Sequence, residues 1–402
     1  MSFFSDTLLA ILPAQRSIKN AEPGGFSIFP TLTLNGKTVS NKEALTLSAF
    51  YNGIEIITND IAKLPKGVFR KVNGSIEHLS DHAVDYLIDN TPNQYMNSFM
   101  FHKMMGQLAI LKGNGYAEII RHKKSAAPIA LQLVTSQVDV VIYNEKLFYK
   151  FDGKVVPSEN MIHIPGFSYN GITGVGIVTL AAQSLGFALS AQNYGSEYYS
   201  AKGVGSGVIE TPKKIDPEAK KRISEAVSGA FNKADNYKIP ILDEEMTFKQ
   251  VRISAEESQF LLSHKHGVEE VARWLNIPPH KLKSLDKATF SNIEHQEIQH
   301  AGDSIMPWAI RFEQEYKAKL FTAAERNYYV KFNMNAIMRA DMAARGEYYS
   351  KMANTGIYTR NEIRALEDMN PLAGLDEPLT PLNTATQSEI QQKIKDKNTD
   401  GK

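Results

Sequence analysis

Leu47, Phe50, Ile54, Ile57, Ile61 and Leu64 recur at alternating three- and four-residue steps, a spacing met by a helix that buries one face. A helix over residues 43–64 is therefore predicted, and Pro65 ends it because proline has no N–H to continue the ladder. "VFRKVNGSIEHL" follows as a β-hairpin, since Asn73-Gly74 accepts the positive φ angles of a tight primed turn. A short helix ends at "NTPN" (90–93), and 98–112 is helical again. From Tyr116 to Ile164 the pattern turns to strands: "YAEIIR", "LQLV", "VDVVIY", "KLFYKF", a turn at Asp152-Gly153, then "MIHI". Helix then strand over one stretch makes the region up to residue 176 α+β.

Beyond "PGFSYNGITGVG" a long helix is expected from about Ile177 to Ala201, stopped by the glycines of "KGVGSG". A small unit comes next, with a strand at "GVIET", a helix from Pro217 behind the cap Asp216, and strands at "KIPILD" and "TFKQVRI". Helix returns at 255–276, with Leu261, Val268, Val271 and Leu275 on one stripe, and Pro278-Pro279 terminates it. "IPPHKLKSLDKATFS" (277–291) has no period, and a structureless connection of that length inside a compact domain is functional or mobile. A second long helix is expected from Asn292 to Phe321, its stripe being Ile298, Ala301, Ile305, Trp308, Phe312 and Tyr316. Pro307 lies inside it and should kink it, deleting one bond and crowding the Asp303 carbonyl. A strand "YYVKF", a helix over 336–353 and a further helix capped by Thr359 and Glu362 complete the ordered part.

Composition narrows the function. The 402 residues suffice for two or three domains, and 43% hydrophobic with 22% charged residues is ordinary for a globular chain. No cysteine is present, which removes disulfides, thiolate zinc sites and cysteine nucleophiles and fits a reducing cytosol. With 45 basic and 44 acidic residues the formal charge is +1, without the excess of positive charge that tight phosphate binding needs. No apolar run approaches a membrane span. "MSFFSDTLLAILPAQR" lacks the basic start and the cleavage site of a secretory signal, so it reads as a peripheral helix or mobile arm. The polar residues 373–402 are expected to be disordered or ordered only on association.

Four histidines, His264, His266, His295 and His300, fall within forty positions and raise the possibility of a metal-dependent hydrolase. Zinc helices place two histidines four residues apart, so that one turn aims both rings at one ion. His295 and His300 are five apart, and diverge by about 140° around a helix. His300 is instead three residues from Glu297, a spacing for a solvated charge pair, while His264 sits on the apolar stripe between Leu261 and Val268. The glycines of "GITGVGIVTL" and "AKGVGSGV" match neither a dinucleotide fingerprint nor a Walker loop, and read as turns and caps. Lys281, Lys283 and Lys287 are ordinarily a solvated surface; the functional alternative is that they face a polyanion weakly, an effect small in one copy but not negligible in many copies arranged in a ring.

"LKGNGYAEIIR" (111–121), "MIHIPGFSYNGITGVG" (161–176), "NYGSEYYSAKGVGSGVIETP" (193–212), "EEVARWLNIPPHKL" (269–282), "FSNIEHQEIQH" (290–300), "MPWAIRFEQEYKAKL" (306–320) and "FNMNAIMRADMAARGEYYSKMANTGIYTRNEIR" (332–364) occur in an order that resembles the portal proteins of tailed bacteriophages. The resemblance is to the shorter-chain branch of long-tailed, siphovirus-type phages, and covers about residues 40–372. One departure is Gly174-Val175-Gly176-Ile177, where the family commonly has Gly-x-Ser-Pro, and it bears on where the next helix starts.

The resemblance implies a portal fold: an N-terminal arm (1–39), an α+β wing (40–176), stem helices (177–203 and 255–276), a small α/β clip (204–254), a tunnel loop (277–291), a long kinked helix with a wing strand (292–334), a helical crown (335–372) and a tail (373–402). It implies a non-enzymatic homo-oligomer, a ring usually twelve-membered, at one capsid vertex of the virion, assembled in the host cytoplasm. Implied partners are double-stranded DNA, held weakly in the channel for packaging and ejection, the terminase large subunit, a head–tail adaptor, and the major capsid and scaffold proteins. No cofactor, metal or membrane is implied. Lys281, Lys283, Ser284, Lys287 and Thr289 would face DNA; Pro278, Pro279, Asn292 and Glu294 would support the loop; Pro307 would kink the helix behind it. Two rivals remain, the histidine-based hydrolase and a DNA-binding module that grips duplex tightly.

Overall fold

The computed structural model describes residues 38–72, 74–200, 207–210, 212, 216–232, 247–250, 256–284, 290–337, 342–367 and 369–379. The chain forms two compact units, Met1–Met334 and Asn335–Lys402. In the first of them the predicted first helix is present in two pieces, α1 (Asn41–Ala44) and α2 (Ser48–Ala62). Ser40 caps α1 in a capping box with Glu43, and the chain turns at 45–47 before α2. All six stripe residues are buried, none more than 7% exposed.

The hairpin β1 (Lys66–Val72) and β2 (Ser75–His78) is antiparallel and gains β11 (Tyr328–Phe332) on its other side, with Val68 opposite Val330. Asn73 lies outside the described residues, and Gly74 takes φ 87°. Helices α3 (Ala83–Asp89) and α4 (Ser98–Leu111) follow, the latter capped by the Asn97 side chain. Two more antiparallel sheets come from the strand-rich stretch. One has the order β4 (Pro128–Val134), β3 (Asn114–Arg121), β8 (Met161–Pro165); the other is β5 (Asp139–Tyr143), β6 (Lys146–Phe151), β7 (Lys154–Pro157). Strand β7 was not anticipated, because "KVVP" is too short for a period to register. Tyr116, Val134, Val140, Tyr149, Phe151, Val156 and Met161 close a core between these sheets.

The expected helix from 177 is divided at Ala181 into α5 (Ile177–Leu180) and α6 (Ala182–Ser200). Gly174 and Gly176 are more than turn residues. A Cβ on Gly174 would lie 1.9 Å from the Gly113 carbonyl oxygen, and one on Gly176 2.2 Å from that of Leu111, so the two chain segments touch backbone to backbone. The small unit shows β9 (Gly207–Glu210), α7 (Pro217–Asn232) and β10 (Thr247–Gln250), with β9 and β10 antiparallel; the "KIPILD" strand lies outside the described residues. Helix α8 (Glu256–Leu275) packs against α6 and α2.

The long helix is described from Phe290 onward and has three parts: α9 (Phe290–Gln299), a π-helical turn over His300–Ile305, and α10 (Met306–Lys319). The π turn contains one residue more than an α turn, which shifts the stripe. Ala309, and not Trp308, continues the buried row from Ile305 to Phe312 and Tyr316, and Ile298 is 53% exposed. Trp308 instead stacks under the Arg311 guanidinium at 4.4 Å.

In the second unit, α11 is described over Met342–Asn354, residues 338–341 of the expected helix lying outside the described residues, and α12 (Arg360–Leu366) has the Thr359–Glu362 capping box. Residues 373–379 of the expected tail are described. Asn361 Nδ2 donates to Leu372 O and Asp376 Oδ1, and Arg360 to Gly374 O; 380–402 lie outside the described residues.

Candidate functional site

Asn276, at φ 53°, ends α8 in the left-handed conformation, with Ile277 N donating to Ala272 O in the helix-closing pattern. Pro278 is extended, and Pro279 opens a 3-10 turn, Pro279–Leu282, which Lys283 ends at φ 65°. This turn sits on α2. A Cβ on Gly53 would collide with Leu275, 2.4 Å away, and press on Ile277, so the glycine lets the foot of the loop approach the helix. Leu282 is buried there, and Asn52 Nδ2 donates to Lys281 O. The first half of the aperiodic stretch is therefore anchored.

Helix α9 returns past this foot and clasps it. His280 Nδ1 lies 2.6 Å from Gln296 Oε1 and its Nε2 3.0 Å from Glu297 Oε1, while Lys281 Nζ is 2.5 Å from Glu297 Oε2. Burial pushes the Glu297 carboxyl up, but the hydrogen bonds from His280 and Lys281 bring it below its ordinary value. One turn further on, His300 is fully buried and its Nε2 lies 2.8 Å from Asp60 Oδ2 on α2, whose other oxygen takes Lys63 Nζ at 2.6 Å. The expected solvated His300–Glu297 pair is thus absent: Glu297 serves the loop foot and His300, fully buried, serves α2.

At the π turn, Asn276 Nδ2 donates to Asp303 O at 3.0 Å, and Ser304 Oγ donates back to Asn276 O. Met306 N reaches Ala301 O, five residues back. Pro307 follows as the second residue of α10.

Of the residues proposed to face DNA, Lys281 is half-buried and bound to Glu297, Lys283 is exposed and Ser284 half-buried. Lys287 and Thr289 lie outside the described residues. Asn292 and Glu294 fall within α9, their side chains undescribed; Pro278 and Pro279 form the foot. His266 and His295 are exposed, and the His264 side chain is undescribed. Among the described residues no three metal-ligating side chains converge. Sequence reasoning placed the Asp303 carbonyl under Pro307 but missed Asn276, His280, Gln296 and Ser304. Of those four only Asn276 carried a signal, as an asparagine after a helix and before Ile-Pro-Pro.

Comparison with known proteins gives these features a family. The model for the phage portal protein family matches residues 48–368. A probable portal protein of Streptomyces phage phiC31 is 30% identical over 374 residues, covering 87% of this chain and 80% of that protein. Among solved structures, an HK97-family phage portal protein from Corynebacterium diphtheriae superposes with a TM-score of 0.57 at 16% identity, over 75% of this chain and 96% of that one. A chain in the neck of a native gene transfer agent particle, computed with C12 symmetry, does so at 0.53 and 16% identity, over 82% and 93%. The match runs from α2 to just past α12, through every element that builds the site, and the chain belongs to the phage portal protein family.

Proposed function

We propose that copies of this chain close into a ring, twelve in number, that forms a channel at one capsid vertex through which double-stranded DNA is packaged and later ejected. Portal proteins are structural components of the virion and not enzymes. In this reading 40–176 with β11 form the wing, 177–203 and 255–276 the stem, 204–254 the clip, and 335–372 the crown. The clip docks the terminase large subunit during packaging and a head–tail adaptor afterwards, while major capsid and scaffold proteins meet the outer surface.

The observation that carries the reading is the family match over residues 48–368, and the C12 neck of the gene transfer agent favours a closed ring. Closure requires one face of the subunit to meet a different face of its neighbour. Charge fits passage. Duplex DNA carries one negative charge per about 1.7 Å of axis, so a channel that gripped phosphates would have to release them at every step; a chain of formal charge +1 suits passage. We assign the DNA-facing role to Lys283, Ser284, Lys287 and Thr289, and to Lys281 the holding of the loop foot through Glu297.

Electron microscopy of the purified protein, viewed down the particle axis, tests the proposal. A ring with a central opening wide enough for a duplex is expected; a compact single-chain particle without one overturns it.

A further inference from the structure

Any α-helix running through residue 307 meets an obstacle, because Pro307 offers no N–H to the Asp303 carbonyl and its ring would crowd that oxygen. The chain resolves this with the π turn at His300–Ile305 and with Asn276, whose amide supplies the Asp303 carbonyl with a donor from another helix. We propose that Asn276 and Pro307 form a latch that holds residues 300–305 in the π register and thereby sets the rotation of α9; with the latch open, the turn converts to α-helix and α9 rotates by one residue.

Anchors on either side of the turn favour this assignment. On the α10 side, Arg311 Nη1 donates to Pro165 O, Lys319 Nζ to Met161 O, and Tyr316 Oη lies 2.8 Å from His102 Nε2. On the α9 side the anchors are Gln296 and Glu297 against His280 and Lys281. The π turn is the extra residue that lets both sets hold at once. Its own satisfaction is incomplete: His300 Nδ1 is buried with no hydrogen-bond partner among the described residues, which narrows the gap to another register. Space is at hand, since a cleft of about 300 Å³ lined by Asn276, Pro278, Gln296, His300 and Asp303 adjoins the turn, and nothing lies within 4 Å of a Cβ built on Gly302. A one-residue change turns α9 by about 100° and takes Glu297 away from His280. The latch does not depend on the channel reading.

The chain has no cysteine, so a pair of spin labels reports cleanly. Ile298→Cys on α9 and Ile310→Cys on α10, 53% and 43% exposed, would be labelled in the full-length protein diluted with unlabelled subunits. Their distance distribution would be measured in four backgrounds: wild type, Asn276→Gly, Pro307→Ala and the double variant. Glycine keeps the left-handed backbone at 276 and removes only the amide. A single distance is expected in the wild type and a second population, displaced by several ångström, in each single variant. The loss in Tm caused by Asn276→Gly should be at least halved in the Pro307→Ala background, where the new N–H takes over the Asp303 carbonyl. An unchanged distance in every background, or Tm losses that simply add, overturns the latch. Should Asn276→Gly fail to fold, the Pro307→Ala distance decides alone.

Discussion

Asp60 and Lys66 are the two buried charges whose titration the fold alters most instructively. Burial would push the Asp60 carboxyl up, but hydrogen bonds from His300 and Lys63 hold it below its ordinary 3.8. A depressed carboxylate stabilises the fold above its unfolded pKa, and that contribution disappears as pH falls through the folded value. Wild type should therefore lose stability below about pH 4 more steeply than Asp60→Asn, as read by thermal melts across pH. Asp60→Ala, leaving His300 buried without its partner, should cost about 1–3 kcal/mol at neutral pH. Lys66 is the opposite case. Desolvation lowers its pKa to about 8, with Ser98 Oγ at 3.1 Å as a neutral partner. The unfolded chain then binds the extra proton between about pH 8 and the ordinary 10.5, so stability relative to Lys66→Met should rise as pH increases through that window; a flat difference would refute it. Neither pairing was legible in sequence, since Asp60 and His300 are 240 positions apart and no local pattern links them.

At the scale of elements, glycines separate what local sequence encodes from what packing encodes. Gly174→Ala should destabilise by at least about 3 kcal/mol, because its Cβ would meet the backbone of Gly113. Gly171→Ala, with φ 73° and open space around it, should cost only about 1–2 kcal/mol of left-handed strain. Chemical denaturation of the two variants gives the ranking, and equal losses would contradict the close approach. Most helices and strands were readable because their periods are set by which face is buried: the α2 stripe and the alternation of Tyr149, Lys150 and Phe151 in β6 are examples. The Thr359 and Glu362 cap was readable because its bonds span three residues. The π turn was not. Pro307 announced a disturbance, but its form depended on Asn276 arriving from α8.

For the whole molecule, Lys283→Ala with Lys287→Ala should leave ring assembly intact, reduce packaged DNA in a complementation assay, and leave binding of free duplex weak with a shallow salt slope. Lys281→Ala should act differently, loosening the loop foot by removing a half-buried partner of Glu297, seen as faster amide exchange over 279–283. Loss of assembly in the first variant, or identical behaviour of the two, would show that the lysines are not divided as proposed. The family was legible from the order of motifs between residues 111 and 364, since such order persists where pairwise identity is low. Sequence by itself determined the α+β class, most element boundaries and the lack of cysteine chemistry, all of which follow from local periodicity and residue type. Tertiary structure alone decided that Lys281 is tied down, that His300 turns inward to Asp60, and that Asn276 bonds to the carbonyl Pro307 leaves open, because each of these depends on which distant segment fills the adjacent space.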